Sequence, residues 1–421
     1  MRGAVSAAPS PDRAWFPALV EPQVRKYLLG QALSMLGTWT LDITLNLLVW
    51  QLTGSPATLG LLNFLLYGPG VLVTLGLSSR LTVANARRIT VWVLGAALAL
   101  ALALVLSAAM QWLSLPLLLG VAALRGVLGG IEVPSRQMLL LTICADPSRL
   151  GNVVAMNTVV FLLARSAGPG LAGLMFEPLG PVWAFVLAAL TLSFMLRCVL
   201  QLQVAAAAPP AGTHPGAGGL RGAWAFVRGD RFGSLFMPVV VCVAFCVGAY
   251  QTLVPVLASR VFGDASFWTG WFYAAAGVGA LVAALLLSSR HMDALLQRML
   301  LAVPWCGVLA LALLAVSSHP LPTLLSFALL GFCTSFVGTG TNATLQRRVP
   351  PPARGGLIAL FLLAFIGPMP LSQLVAGALA QWLSVEATFA LLAATLMVGL
   401  TVLCGRRWRR LGRVELDPTK L

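Results

Sequence analysis

Three charged side chains stand deep inside long apolar runs: Asp42, Arg125 and Arg165. A charge at the centre of a bilayer costs about 2.5–3.5 kcal/mol on insertion scales, so such residues mark function. Asp42 belongs to a set. Gln31, Ser34, Thr38, Asp42 and Asn46 recur at helical spacing and make one polar stripe on one helix face. In hydrocarbon that stripe faces other helices or a water-filled cavity, and it is read as a cavity wall, with Thr38 and Asn46 as substrate-contact candidates. A carboxylate held away from water is a group able to take up and release a proton, which makes Asp42 the first proton-coupling candidate. Its alternative role is a static counter-ion. Arginine keeps its proton, so Arg125 and Arg165 act electrostatically, on an acid or on a bound anion, and either can pair with Asp42. One acid against two arginines leaves a surplus positive charge. That surplus favours an anionic or zwitterionic amphiphile over a purely cationic one. Glu132, beside Pro134, can pair with Arg136 or a loop arginine, as a gate contact or as a further proton carrier.

Other groups carry weaker signals. Tyr250, Gln251, Asn342 and Gln373 are polar residues in later apolar runs, available for substrate contact or for bonding between helices. Gly168-Pro169 removes a backbone hydrogen bond and predicts a bend. The small residues from Ser166 to Gly173 allow a close helix approach, read as a hinge and seal together with tight packing. Trp268, Trp271 and Tyr273 read as an aromatic belt at the membrane interface ahead of an aromatic face on the cavity. His214, His291 and His319 are scattered, and Cys242 with Cys246 reads as packing, so no metal site and no cofactor are expected. No G-x-x-x-x-G-K-[ST] loop, H-E-x-x-H or G-x-S-x-G occurs in the chain. ATP-driven pumping and those enzyme classes are thereby set aside.

The elements that hold these residues follow from composition. The chain has 421 residues, 59% hydrophobic and 9% charged, with a mean hydropathy of +0.92. Soluble domains carry about a quarter charged residues. Spans are expected at 28–50, 57–78, 88–110, 114–134, 150–173, 181–203, 233–257, 267–288, 298–317, 321–345, 356–381 and 384–404. Each is close to the ~20 residues that a helix needs to cross the hydrocarbon. The expectation is an all-α polytopic membrane protein with twelve transmembrane helices in two six-helix halves.

Of the 27 Lys and Arg residues, 24 fall on one side of that alternation, Arg260 on the other, and Arg125 and Arg165 within spans. This bias places both termini in the cytoplasm of a multi-pass protein of the cell membrane. It also accounts for the net charge of +15 as a topology signal, so no nucleic-acid partner is expected. The predicted parts are an N-terminal tail (1–26), a first six-helix bundle (27–204), a cytoplasmic linker (205–231), a second bundle (232–405) and a basic tail (406–421).

The halves echo each other. Gly60, Ser78-Ser79-Arg80 and Arg88 correspond to Gly270, Ser288-Ser289-Arg290 and Arg298. Gly168-Pro169 and Ala172-Gly173 correspond to Gly367-Pro368 and Ala376-Gly377. A repeated six-helix unit is how many secondary transporters are built.

Specific motifs sharpen this. The first span carries Gly30-Gln31-Ala32-Leu33-Ser34, Gly37-Thr38-Trp39, Leu52-Thr53-Gly54-Ser55-Pro56 and Leu59-Gly60. The fourth carries Arg125-Gly126-x-x-Gly129 and Glu132-Val133-Pro134-Ser135-Arg136-Gln137, and the fifth Ala164-Arg165-Ser166-Ala167-Gly168-Pro169-x-x-Ala172-Gly173. Over roughly 25–405 the chain resembles the major facilitator superfamily, in the drug-exporter branch that includes enterobactin exporters and macrolide efflux proteins. The resemblance implies a proton-transfer or gating role for Arg125, an antiporter-type hinge at Gly168, Pro169 and Gly173, and gate contacts at Arg80 and Arg136. Ser79 stands where the family has an aspartate that anchors a gate charge cluster. The expected function is a secondary active transporter, exporting amphipathic drug-like or siderophore-like small molecules by proton-coupled alternating access. An uptake permease and a transport-deficient scaffold or sensor on the same fold stay open. The expected partners are a small-molecule substrate and the lipid bilayer, around a monomer.

Overall fold

The computed structural model describes residues 21–77, 81–144, 146, 149–203, 219–289, 295–350 and 353–411. The first six spans are α1 (Pro22–Thr53), α2 (Pro56–Leu77), α3 (Val83–Ala109), α4 (Leu115–Ile143), α5 (Leu150–Leu179) and α6 (Pro181–Leu200). A short helix, α7 (Gly219–Gly229), precedes a seventh span made of α8 (Arg231–Gly248) and α9 (Tyr250–Phe262). Then come α10 (Ala265–Leu287), α11 (Leu296–Val316) and α12 (Pro320–Arg348). The eleventh span is α13 (Arg354–Ile366) with α14 (Pro368–Trp382), and the twelfth is α15 (Val385–Leu411). Twelve segments are long and apolar enough to cross a bilayer, as the hydropathy predicts. The protein is all-helical and multi-pass, with no strand among the described residues.

Hydrocarbon offers backbone groups no water, so each spanning segment satisfies its own N–H and C=O groups as a helix. Proline in the first turn starts α1, α6, α12 and α14, where its missing N–H is not needed. Aspartates cap two others. The Asp230 carboxylate accepts from the Gly233 N–H at 2.8 Å, and that of Asp264 from the Phe267 N–H at 2.8 Å.

Three features depart from the sequence expectation. First, α4 continues through Pro134 to Ile143 instead of ending near 134, so Arg136 is a helix residue and only 3% exposed. Counting it among the loop charges is therefore corrected. Second, the stretch expected as linker contains α7, which buries Ala223 and Val227 and packs against α8 and α13. Alternating Arg and apolar residues made it too short and too basic to register as a span. Third, α5 runs without interruption across Pro169, whereas the corresponding Gly367-Pro368 separates α13 from α14.

Within the first half, α1 packs on α5 and α6, α2 on α4, and α3 on α4 and α6. In the second half, α10 and α11 pack on α12, and α15 on α11 and α8. The halves meet along two seams, α5 with α10 and α2 with α14. Each seam contains a glycine facing a glycine. A Cβ on Gly173 would lie 2.5 Å from the Ser266 carbonyl oxygen and 3.0 Å from Gly270 Cα. One on Gly377 would lie 2.5 Å from the Pro56 oxygen and 2.8 Å from Gly60 Cα. Both crossings sit toward the ends of these helices away from the chain termini. The far end is further tied by Ser55 Oγ, which donates to Gln381 Oε1 at 3.0 Å.

Candidate functional site

Four of the five positions of the α1 stripe are buried, and Thr38 is half-buried. Gln31, Ser34, Asp42 and Asn46 are buried, and they meet partners on α4 and α2. Midway along α1, Arg125 Nε of α4 lies 2.9 Å from Asp42 Oδ1, and Arg125 Nη2 donates to Asp42 Oδ2 at 3.2 Å. One edge of the guanidinium, Nε and Nη2, therefore faces the two carboxylate oxygens. Asp42 is 4% exposed. One turn on, Asn46 Nδ2 donates to the Asp42 carbonyl at 2.9 Å, and Asn63 Nδ2 of α2 donates to Asn46 Oδ1 at 2.7 Å. The pair is thus extended by amides from two helices.

Nearer the terminal end lies a second cluster. Arg136 Nη2 is 2.6 Å from Glu132 Oε1 and donates to Ser34 Oγ at 2.9 Å, while its Nη1 donates to Gln31 Oε1 at 2.8 Å. Tyr27 Oη donates to the Arg136 carbonyl at 3.0 Å. This joins the Gln31…Ser34 motif of α1 to the Glu132…Arg136 motif of α4. Glu132 takes the helix partner that the sequence offered it, in place of a loop arginine.

The remaining candidates divide. Arg165 on α5 does not pair with Asp42, and its guanidinium lies 5.7 Å from the centre of the Trp39 ring. Thr38 is half-buried, and its hydroxyl makes no hydrogen bond among the described residues. In the second half, Gln373 Nε2 of α14 donates to Gln251 Oε1 of α9 at 2.8 Å, and Tyr273 Oη of α10 donates to the Gln251 carbonyl at 2.7 Å. Tyr250 is 2% exposed, its ring packed near Tyr273 and Phe327. Tyr273, 5% exposed, is thereby an inner residue and not part of a belt, whereas Trp271 is exposed. Asn342 is far from this group. It accepts from Gln346 Nε2 at 3.0 Å and, with Thr339, Ala343 and Arg347, lines a cavity of about 490 Å³ near the end of α12.

Gly168 serves the packing of α1 on α5. A Cβ there would lie 2.5 Å from Trp39 Cβ, and Thr40 Oγ1 donates to the Gly168 carbonyl at 3.1 Å. Pro169 belongs to the seam between halves, with its carbonyl 3.0 Å from a Cβ built on Gly270. Arg80 and Ser79 lie outside the described residues. No group of His, Cys, Asp and Glu among the described residues has the arrangement of a metal site. Asn63 and Tyr67, four residues apart on α2, are the site residues that the sequence reading passed over; their helical spacing toward α1 was the available signal.

Known proteins carry the same build. The profile of the transmembrane secretion effector family matches residues 15–420. The staphyloferrin A transporter of Staphylococcus aureus is 22% identical over 386 residues, covering 90% of this chain and 94% of that one. The nucleoside transporter NupG superposes with a TM-score of 0.68 at 14% identity, covering 91% of this chain and 98% of that one. A bacterial homologue of the iron transporter ferroportin, in an inward-facing state, gives 0.63 at 17% identity, covering 91% and 98%.

Proposed function

The chain belongs to the transmembrane secretion effector family, a membrane transporter of the major facilitator type, and from that premise we propose that it exports amphipathic small molecules in exchange for protons. The carrying observation is the Asp42–Arg125 pair, buried between α1 and α4 in the half of the molecule that holds its midplane charges. A lone carboxylate in such a setting binds a proton when its arginine is drawn away and releases it when the pair re-forms. Exchange of pair and proton with each cycle couples the two gradients. The seams at Gly60–Gly377 and Gly173–Gly270 bring the halves together at the far end, which supports loading from the terminal end. With the basic loops read as cytoplasmic, that supports loading of substrate from the cytoplasm. The staphyloferrin A transporter adds support for a small organic cargo.

The test is dissipation of a pH gradient in proteoliposomes on addition of anionic, zwitterionic and cationic amphiphiles. Wild-type protein releases protons with at least one class, and Asp42→Asn abolishes that release. Release that survives in Asp42→Asn moves the coupling proton to Glu132, and absence of release with every class rejects proton antiport.

A further inference from the structure

Of the arginines buried or half-buried in the middle of the first half, Arg125 is matched by Asp42 and Arg136 by Glu132. Arg165 has no carboxylate partner among the described residues. Its guanidinium lies over the face of Trp39, 5.7 Å from the ring centre, and Trp39 in turn meets Phe161 edge-on at 6.3 Å. The next residue, Ser166, donates from Oγ to the Ala274 carbonyl of α10 at 3.0 Å, so this stretch of α5 lies where the two halves face each other.

Arg165 is half-buried, and the planar fork of a guanidinium matches a carboxylate edge to edge. An indole behind it removes one face from water and leaves the other edge for a ligand. Aromatic rings beside the fork suit an apolar body attached to that anion.

We propose that Arg165, backed by Trp39 on the face of α5 that meets the second half, is the substrate subsite for a carboxylate, so that the cargo is an organic anion with an apolar body. This rests on the transport reading above and names the substrate class within it.

The experiment uses the full chain in lipid nanodiscs and two probes with the same apolar body, pyrene-1-butyrate and its neutral amide. Affinities are read by equilibrium dialysis, with empty nanodiscs subtracted. Wild type binds the carboxylate more tightly than the amide. Arg165→Gln weakens the carboxylate at least tenfold and leaves the amide within twofold, Arg165→Lys falls between, and Trp39→Leu weakens both probes. Equal weakening of both probes by Arg165→Gln makes Arg165 a packing residue and overturns the proposal. So does unchanged carboxylate affinity, or a wild type that binds neither probe. Proton release by the same preparations is scored separately. Anion preference without release leaves the subsite standing and removes the antiport reading; release without anion preference does the reverse.

Discussion

At the scale of single residues, the buried pair sets the terms. Removing Arg125 while keeping Asp42 strands a carboxylate in a dry interior, and breaking one side of such a pair costs about 3–5 kcal/mol. Arg125→Ala is therefore expected to lower the unfolding midpoint in detergent sharply. The double variant Asp42→Asn with Arg125→Gln, which removes both charges, recovers most of that loss. A double variant no more stable than Arg125→Ala would show that the pair itself carries no strain of unmatched charge. Asp42 and Arg125 were legible in the sequence because a charge inside an apolar run has few structural excuses. Which arginine pairs with Asp42 was not, because two residues on different helices meet only once the rotation of each helix is set. Arg165 and Arg125 had equal claims by depth; packing of α4 on α1 brought one to the acid and left the other on Trp39.

At the scale of elements, the Arg136 fork binds α4 to α1 by contacts with Glu132, Gln31 and Ser34. A lysine has no planar fork and cannot span the same three acceptors. Arg136→Lys is expected to cost about 1.5–3 kcal/mol, the scale of hydrogen bonds to charged groups. Glu132→Gln added to Arg136→Ala should restore part of the loss by removing the stranded charge. Both are read as shifts in unfolding midpoint. The twelve spans were legible because hydropathy over about 20 residues reports bilayer thickness. Two details were hidden. The helical continuation of α4 past Pro134 depends on Arg136 finding polar partners on α1, a tertiary fact. The different fates of Gly168-Pro169 and Gly367-Pro368 depend on neighbours: Thr40 supports α5 at Gly168, and the corresponding step in the second half parts α13 from α14.

At the scale of the whole molecule, two seams related by the internal repeat bring the halves together at the far end. Gly377→Ala sets a Cβ against the Pro56 carbonyl, and Gly173→Ala sets one against the Ser266 carbonyl. Each is expected to hold its seam apart and cut transport by more than tenfold. Transport that continues at the wild-type rate in either variant would show that the seam does not need to close during the cycle. The repeat was visible beforehand in the paired positions Gly60 with Gly270 and Gly173 with Gly377. That each glycine would face a glycine of the opposite half was not, because the echo aligns positions within the chain and says nothing of which ones touch.

The four seam glycines have a further consequence, one for the gene. Every single-base change that replaces a glycine brings in a residue with a Cβ, or a stop. At Gly173 and Gly377 that Cβ would meet a backbone carbonyl at 2.5 Å. These codons are closed to stepwise drift, and a change on one side of a seam has no compensating change on the other, since the opposing glycine is already as small as a residue can be. After the duplication the two copies were free to part company elsewhere, one keeping an acid and its arginines, the other settling on amides and aromatic rings. The seam glycines stand in both halves and carry the mark of the repeated six-helix unit.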